Sequence, residues 1–311
     1  MSKSKEILIS LLTYNSTNVI ENCLNSLKNQ TNQNFKCFIF DNDSNDGIED
    51  FVKKYPEIKF IQVGKNEGYT GGHNFALEYF RKNYPNHKYM MVLNPDIICS
   101  NNLIEEFQNL FEKNVTLYTC ALKKSSYDKR LWVNKNIHLP SFTFLGRYLK
   151  QSEFNHGYIQ SMFVSGSCFV IDIEKYKNKY LFKDYFMYHD EIELSLRLKL
   201  QGKKIITATN AYVVHEPKKQ NFLNEKSIYL LELNRLKLQS DLFSNTFVLL
   251  NLPFYIFFRL VIFLIFRPMT QAKEYSRGLN DGLKYFQNNL GIKKASFKKT
   301  LEFLFLENSK F

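Results

Sequence analysis

Residues 6–112 switch repeatedly between two hydrophobic periods, and that switching restricts the chain to few folds. Glu6-Ile-Leu-Ile-Ser-Leu-Leu-Thr13 is a buried-strand run. In the stretch after it, Ile20, Cys23, Leu24 and Leu27 fall at helical spacing, with Ser16 or Thr17 placed to cap. Lys36-Cys-Phe-Ile-Phe40 reads as a second strand, 48–54 as a short helix and Ile58–Val63 as a third strand. A glycine-rich turn over Asn66–Asn74 leads into a helix at Phe75–Arg81. Lys88–Leu93 is the fourth strand, and 101–112 a further helix. Alternation of this kind predicts an α/β fold whose sheet is doubly wound, mostly parallel and joined by right-handed crossovers.

In such sheets ligands bind outside the carboxyl ends of the strands. The loops starting at Asn15, Asp41 and Asn94 all follow strands, so they are expected on one rim. The apolar run Tyr89–Leu93 stops at Asn94-Pro95-Asp96 because proline cannot donate to a sheet ladder. That leaves Asp96 where the chain leaves the sheet. Taken singly, each of these loops reads as a turn or a cap. Taken together they have one chemical use. Glycines let the backbone approach a diphosphate, and a carboxylate at a strand end can hold Mg2+ or Mn2+ against phosphate oxygens. A second carboxylate on a neighbouring strand end can accept from a base edge.

Beyond residue 112 the pattern changes. Residues 123–158 carry the single Trp and no clear period, and read as an excursion from the sheet. Strand character returns over 159–173, around Ser165-Gly166-Ser167. Tyr188–Leu200 opens with acids and becomes a helix with Ile192, Leu196 and Leu200 on one face, closed by Gly202. A strand over 204–214 then ends on His215. The boundary is drawn at 216/217, separating an α/β domain (1–216) from a helical, basic and apolar region (217–311).

That last region holds 15 Lys/Arg against 7 Asp/Glu. Its run Leu242–Phe266 is strongly apolar but is interrupted by Asn245, Asn251, Pro253 and Arg259. A simple spanning helix needs about 20 mostly apolar residues. The interruptions favour a helical pair in the membrane interface, with Arg259 and Arg267 reaching headgroups. The alternative is a core or dimer helix. Lysines interleaved with long apolar runs form no readable basic helix, which argues against a nucleic-acid partner. The five cysteines (23, 37, 99, 120, 168) have no C-x-x-C spacing, and fit buried thiols in a reducing compartment.

Several motifs together resemble the family-2 inverting glycosyltransferases, in particular the rhamnosyltransferase-like branch of bacterial polysaccharide assembly. They are TYNS (13–16), DNDSNDG (41–47), NEGYTGGHN (66–74), LNPD (93–96), HDEIELSLR (189–197) and His215, with YLLELNR (229–235) and RGLNDGL (277–283) in the tail. The resemblance spans about residues 6–290. It implies a GT-A-like fold with a nucleotide-binding half and a membrane-associated C-terminal region.

By that resemblance Asp41 reads the donor's pyrimidine, and Gly71, Gly72 and Asn74 lie along the ribose and diphosphate. Thr13, Asn15, Asp43, Gly68 and Asn94 complete the donor side. Asp96 is the metal-ligating carboxylate, with His215 beside it, for Mg2+ or Mn2+. Glu191 is the catalytic base, with Asp190 as the alternative. Trp132, Gly166 and Arg197 are the acceptor-side candidates. Two positions depart from the family pattern. Asn94 stands where an Asp-x-Asp pair would carry its first acid, and Asp190-Glu191 inverts the usual Glu-Asp order.

The implied activity is inverting transfer of a sugar, rhamnose from dTDP-rhamnose or a hexose from a UDP-sugar, onto a glycan or lipid-linked glycan. The expected partners are the nucleotide-sugar donor, that acceptor, a membrane surface and no nucleic acid, with a homodimer as a further candidate. The expected place is the cytoplasmic face of a bacterial cell membrane, held peripherally. Two other classes compete. A sugar-phosphate nucleotidyltransferase of similar fold would need an early glycine-rich basic loop, which TYNSTNV (13–19) lacks. A membrane-bound scaffold would turn over no donor.

Overall fold

The structure is a computed structural model that describes residues 4–111, 115–215, 224–292 and 294–307. The expected alternation is present. β1 (Ser4–Thr13), α1 (Ile20–Lys28), β2 (Phe35–Asp41), α2 (Ile48–Val52), β3 (Lys59–Gln62), α3 (Gly68–Asn83) and β4 (His87–Leu93) follow in order. β5 (Ile98–Cys99), α4 (Leu103–Leu110) and β6 (Leu117–Lys123) come next. β7 (Trp132–His138), β8 (Thr143–Tyr148), β9 (Tyr158–Gln160) and β10 (Cys168–Asp172) lead to α5 (Asp190–Leu200) and β11 (Ile205–Val214). The C-terminal helices are α6 (Glu225–Leu242), α7 (Asn245–Phe266), α8 (Ala272–Asn288) and the short α9 (Phe297–Leu301). The expected 216/217 boundary lies outside the described residues.

The sheet order is β3-β2-β1-β4-β10-β6-β11-β5. β3, β2, β1 and β4 are parallel neighbours, as the βαβ pattern requires. β10 inserts antiparallel to both β4 and β6, so the sheet is mixed. Successive residues of β1 point to opposite faces. Ile7, Ile9 and Leu11 join a core with Ile20, Cys23, Leu24 and Leu27 of α1, while Leu8 and Leu12 pack with Ala76, Leu77 and Phe80 of α3. Helices on both faces explain why β1 reads as a continuous apolar run. All five cysteines are free and buried. The excursion at 123–158 contains the β7–β8 hairpin, a regular element whose half-buried faces hid its period.

The glycine-rich stretch is not a turn before a helix. It is the first turns of α3 itself. A Cβ on Gly72 would lie 2.4 Å from Leu12 Cδ1, so this glycine lets α3 press onto β1. Gly68 has φ +69°, and a Cβ there would lie 2.5 Å from the Phe186 carbonyl oxygen. Gly68→Ala is expected to cost about 1–3 kcal/mol through backbone strain and overpacking, read as a lower urea midpoint at unchanged m.

The tail differs from the expected helical pair. α7 is one helix with Pro253 inside it. It is long and apolar enough to cross a membrane by length and composition. Leu250, Phe254, Phe257, Leu264, Ile265 and Phe266 along it are exposed. Arg259 reaches no headgroup: it is 7% exposed, and its Nε donates to Glu232 Oε2 of α6 at 3.1 Å. α6 and α8 pack closely because Gly278 and Gly282 face Tyr229 and Leu236, where a Cβ would clash.

Candidate active site

Because β10 is antiparallel to β4 and to β6, those two strands point the same way, and β11 follows β6. The carboxyl ends of β1, β2, β4, β6 and β11 therefore share one rim with the start of β10. Thr13, Asp41, Asn94, Gly166 and His215 all stand at that rim.

The half expected to take the donor is a hydrogen-bonded lattice. Asp41 is buried, and its Oδ1 accepts from Thr13 Oγ1 at 2.8 Å and from Ser44 Oγ at 2.6 Å. Oδ2 accepts from the Ser44 N–H at 2.9 Å. A carboxylate has about four acceptor positions, so room for a ligand N–H remains. Asn15 and Asp43 both take the left-handed conformation, with φ of 51° and 67°. Asn15 Oδ1 accepts from the Asn45 N–H, and Ser44 Oγ accepts from the Asn15 N–H, tying the first two loops together. Asn42 Nδ2 donates to the Gly68 carbonyl at 2.8 Å, which adds the start of α3.

Three of the donor-side candidates also carry structural commitments. Asn74 is committed to structure: its Nδ2 donates to Phe182 O and its Oδ1 accepts from Phe182 N, each at 2.9 Å. Those two bonds fix the amide's orientation and leave one N–H and one acceptor position on it. Gly71 and Gly72 are helical, and Gly72 is occupied with packing against Leu12.

Asn94 fixes the centre of the rim, its N–H donating to the Ser167 carbonyl at 2.9 Å. Asp96 Oδ2 lies 3.6 Å from His215 Nε2, both side chains partly open to solvent. No group of three or more His, Cys, Asp or Glu side chains suited to a metal occurs among the described residues. A neighbouring carboxylate and imidazole fit a divalent first-row ion such as Mn2+ that takes its other positions from phosphate and water oxygens.

Asp190 and Glu191 open α5. Burial pushes the Asp190 carboxyl well above its ordinary range, and the Glu191 charge adds to the shift. Burial also raises Glu191, while the hydrogen bond from Asp190 pulls it back. Both carboxyls are thus shifted toward the protonated form, the buried Asp190 (3% exposed) the more strongly. Glu191 looks onto Gly166, where a Cβ would lie 3.3 Å from its carboxyl carbon. Gly166 thus sits against the Glu191 carboxylate.

The segment feeding α5 is strained. Phe186, Tyr188 and His189 all have positive φ, at 62°, 71° and 62°. Asn234 of α6 holds this segment, its Nδ2 donating to the carbonyls of Tyr185, Met187 and Tyr188 at 2.9, 2.8 and 3.1 Å. His189 is held neutral by burial and then by the charges of Arg235 and Arg259.

Two acceptor-side expectations change. Arg197 is not available to a ligand: its guanidinium binds Glu193 one turn back, Tyr176 Oη at 3.1 Å and the Leu181 carbonyl at 3.1 Å. Trp132 is half-buried and packs over Gly146 of β8, with the Lys124 ammonium 4.5 Å from its ring centre. Sequence reading missed Tyr69. Its hydroxyl donates to the Gly166 carbonyl at 2.5 Å, and burial, with Asp190 and Glu191 nearby, keeps the phenol protonated. Its place in NEGYTGGHN was the only signal. Asn234, in YLLELNR, was likewise legible only as part of a motif.

The description "Glycosyl transferase family 2" matches residues 9–178, which carry most of this rim. The chain belongs to glycosyl transferase family 2. Its reaction class is therefore glycosyl transfer. This family-2 chain is 24% identical over 222 residues to the low-salt glycan biosynthesis hexosyltransferase Agl10 of Haloferax volcanii, covering 67% of this chain and 68% of that one. Among solved structures it is similar to GalNAc-T7 crystallised with UDP, GalNAc and Mn2+, at TM-score 0.65 and 12% identity. The match covers 98% of this chain and spans 57% of GalNAc-T7. It also resembles residues 1–349 of S. aureus TarS in complex with UDP-GlcNAc, at TM-score 0.59 and 14% identity, covering 90% and 81% of the two chains. At these identities the likeness establishes the GT-A-like fold.

Proposed function

We propose that this transferase moves a sugar from a nucleotide donor to an acceptor hydroxyl with inversion, using Glu191 as the base. The observation that carries the reading is the Asp190–Glu191 pair at the start of α5, with the Glu191 carboxylate turned toward Gly166 at the rim that also holds Asp41, Asp96 and His215. Glu191 takes the acceptor proton as the hydroxyl oxygen bonds to the anomeric carbon. The bond from that carbon to the diphosphate oxygen breaks with its electron pair leaving on the diphosphate. Asp190 keeps its own proton and orients Glu191. Asp41, Thr13 and Ser44 face the donor's pyrimidine, and the Asn15–Asn45 lattice holds their loops. Asp96 and His215 would hold a divalent ion, which when bound supplies positive charge to the departing diphosphate.

The rhamnosyltransferase-like motifs favour dTDP-rhamnose; the neighbours crystallised with UDP or UDP-GlcNAc favour a UDP-hexose. The glycan-assembly relative and the exposed apolar face of α7 support a lipid-linked glycan acceptor at a membrane surface. We read residues 1–216 as the catalytic domain and 217–311 as the part that seats it peripherally on the cytoplasmic face of the membrane.

A thermal-shift panel of dTDP, UDP and their sugars, with and without Mn2+, tests this. One nucleoside diphosphate is expected to raise Tm further with Mn2+, and Asp96→Ala to remove the metal increment while keeping the nucleotide's own. No shift with any nucleotide sugar would defeat the proposal. An unchanged metal increment in Asp96→Ala would defeat the metal assignment.

A further inference from the structure

α6, α7 and the start of α8 enclose a cavity of about 210 Å3, outside the rim, lined by Glu232, Arg235, Arg259, Phe266, Arg267 and Tyr275 among others. Three guanidinium groups meet one carboxylate there. Glu232 is taken up by Arg259. Arg235 is 7% exposed and donates through Nη1 to the Phe142 carbonyl, but its Nε–H has no hydrogen-bond partner. The Arg267 side chain makes no hydrogen bond or ion pair among the described residues. Buried guanidinium donors left open, with surplus positive charge, are the setting for an anion, and for phosphate above all.

The mouth of the cavity indicates what the anion is attached to. Phe266 lines it and is 72% exposed, and the bare apolar face of α7 runs on through Ile265 and Leu264. An anion entering here leaves an apolar chain lying along α7. The inner wall indicates what the ligand is for. Arg235 follows Asn234, which holds the strained 185–188 carbonyls just ahead of Asp190 and Glu191. Anchoring the ligand here places it next to the segment that aims the base.

We infer that this cavity binds the phosphate or diphosphate of the lipid-linked acceptor, with the lipid leaving past Phe266. The inference rests on the proposed transfer to such an acceptor and adds the site that recognises it.

The test uses the full chain in detergent, with farnesyl phosphate as probe and farnesol, inorganic phosphate and phosphatidylglycerol vesicles as the other arms. Farnesyl phosphate is expected to bind saturably and at least about tenfold tighter than farnesol or inorganic phosphate, because both charge and chain are used. Arg267→Glu is expected to weaken it about tenfold or more while leaving nucleoside diphosphate stabilisation unchanged. Equal affinity in Arg267→Glu overturns the site. So does farnesol or inorganic phosphate binding as tightly as farnesyl phosphate, or full competition by phosphatidylglycerol, whose diester would then be the ligand. Failure of every nucleotide sugar to stabilise the wild type would instead count against the transferase reading, whatever the lipid result.

Discussion

Replacing Glu191 by glutamine is expected to lower the transfer rate roughly 10²- to 10⁴-fold, the span usual for loss of a positioned general base. Nucleotide-dependent stabilisation should be unchanged, because Glu191 lies against Gly166 and not in the Asp41 lattice. Asp190→Asn should behave differently. An amide still donates a hydrogen bond to Glu191, as the protonated Asp190 does, so activity should stay within about tenfold of wild type. The wild-type rate should rise with pH through a limb displaced above the ordinary carboxylate range, since burial raises Glu191.

The stability sign is opposite to that of a salt-bridged acid. Asp190's folded pKa is raised, so the folded state holds the proton that the unfolded state has lost. That contribution is present below the unfolded pKa and is lost as pH rises through the folded value. Asp190→Asn removes the dependence and should raise Tm relative to wild type at neutral pH but not at low pH. Rate profiles and melts of both variants check this. Wild-type rates in Glu191→Gln, or Asp190→Asn as damaging as Glu191→Gln is expected to be, would transfer the base role or remove it.

The half of the fold that alternates local periods was legible in the chain. β1, α1, β2 and β4 show their periods because both sheet faces are buried and α1 has a single buried stripe. The antiparallel insertion of β10 was not legible, since period two says that a strand exists but not which neighbours it takes or in which direction. Glycine's low helix propensity made 66–74 read as a turn, yet Leu12 and Phe186 leave no room for side chains on Gly72 and Gly68.

The strand-end residues of the site could be placed on one rim from topology alone. Their competing commitments could not. Arg197 was assigned to the acceptor side by motif, while its partner Glu193 stands four residues back. Asn74 was assigned by motif, and its clamp on Phe182, 108 positions along the chain, has no local signature. The strain at 186–189 is likewise a tertiary product: nothing in Phe-Met-Tyr-His favours positive φ, and Asn234 of a distant helix helps hold it.

Glu232→Leu or Arg259→Met is expected to cost about 3–5 kcal/mol of unfolding free energy, the usual effect of leaving one buried charge without its partner. Their side chains are 4% and 9% exposed, so water offers little compensation. The reasoning predicts a specific rescue. Glu232→Leu with Arg259→Met removes both charges, and such apolar replacement of a buried pair is commonly neutral or stabilising. The double variant should therefore recover most of the stability that either single change loses, and a double-mutant cycle in denaturant measures the coupling. The outcome also decides between two roles for Arg259. An arginine extended from α7 to lipid headgroups would lose at most about 1 kcal/mol on replacement in detergent and would show no coupling to Glu232. Its loss would appear as weaker vesicle binding. Strong coupling with unchanged vesicle binding means that α7 is locked to α6 from within, leaving its apolar outer face to meet the membrane.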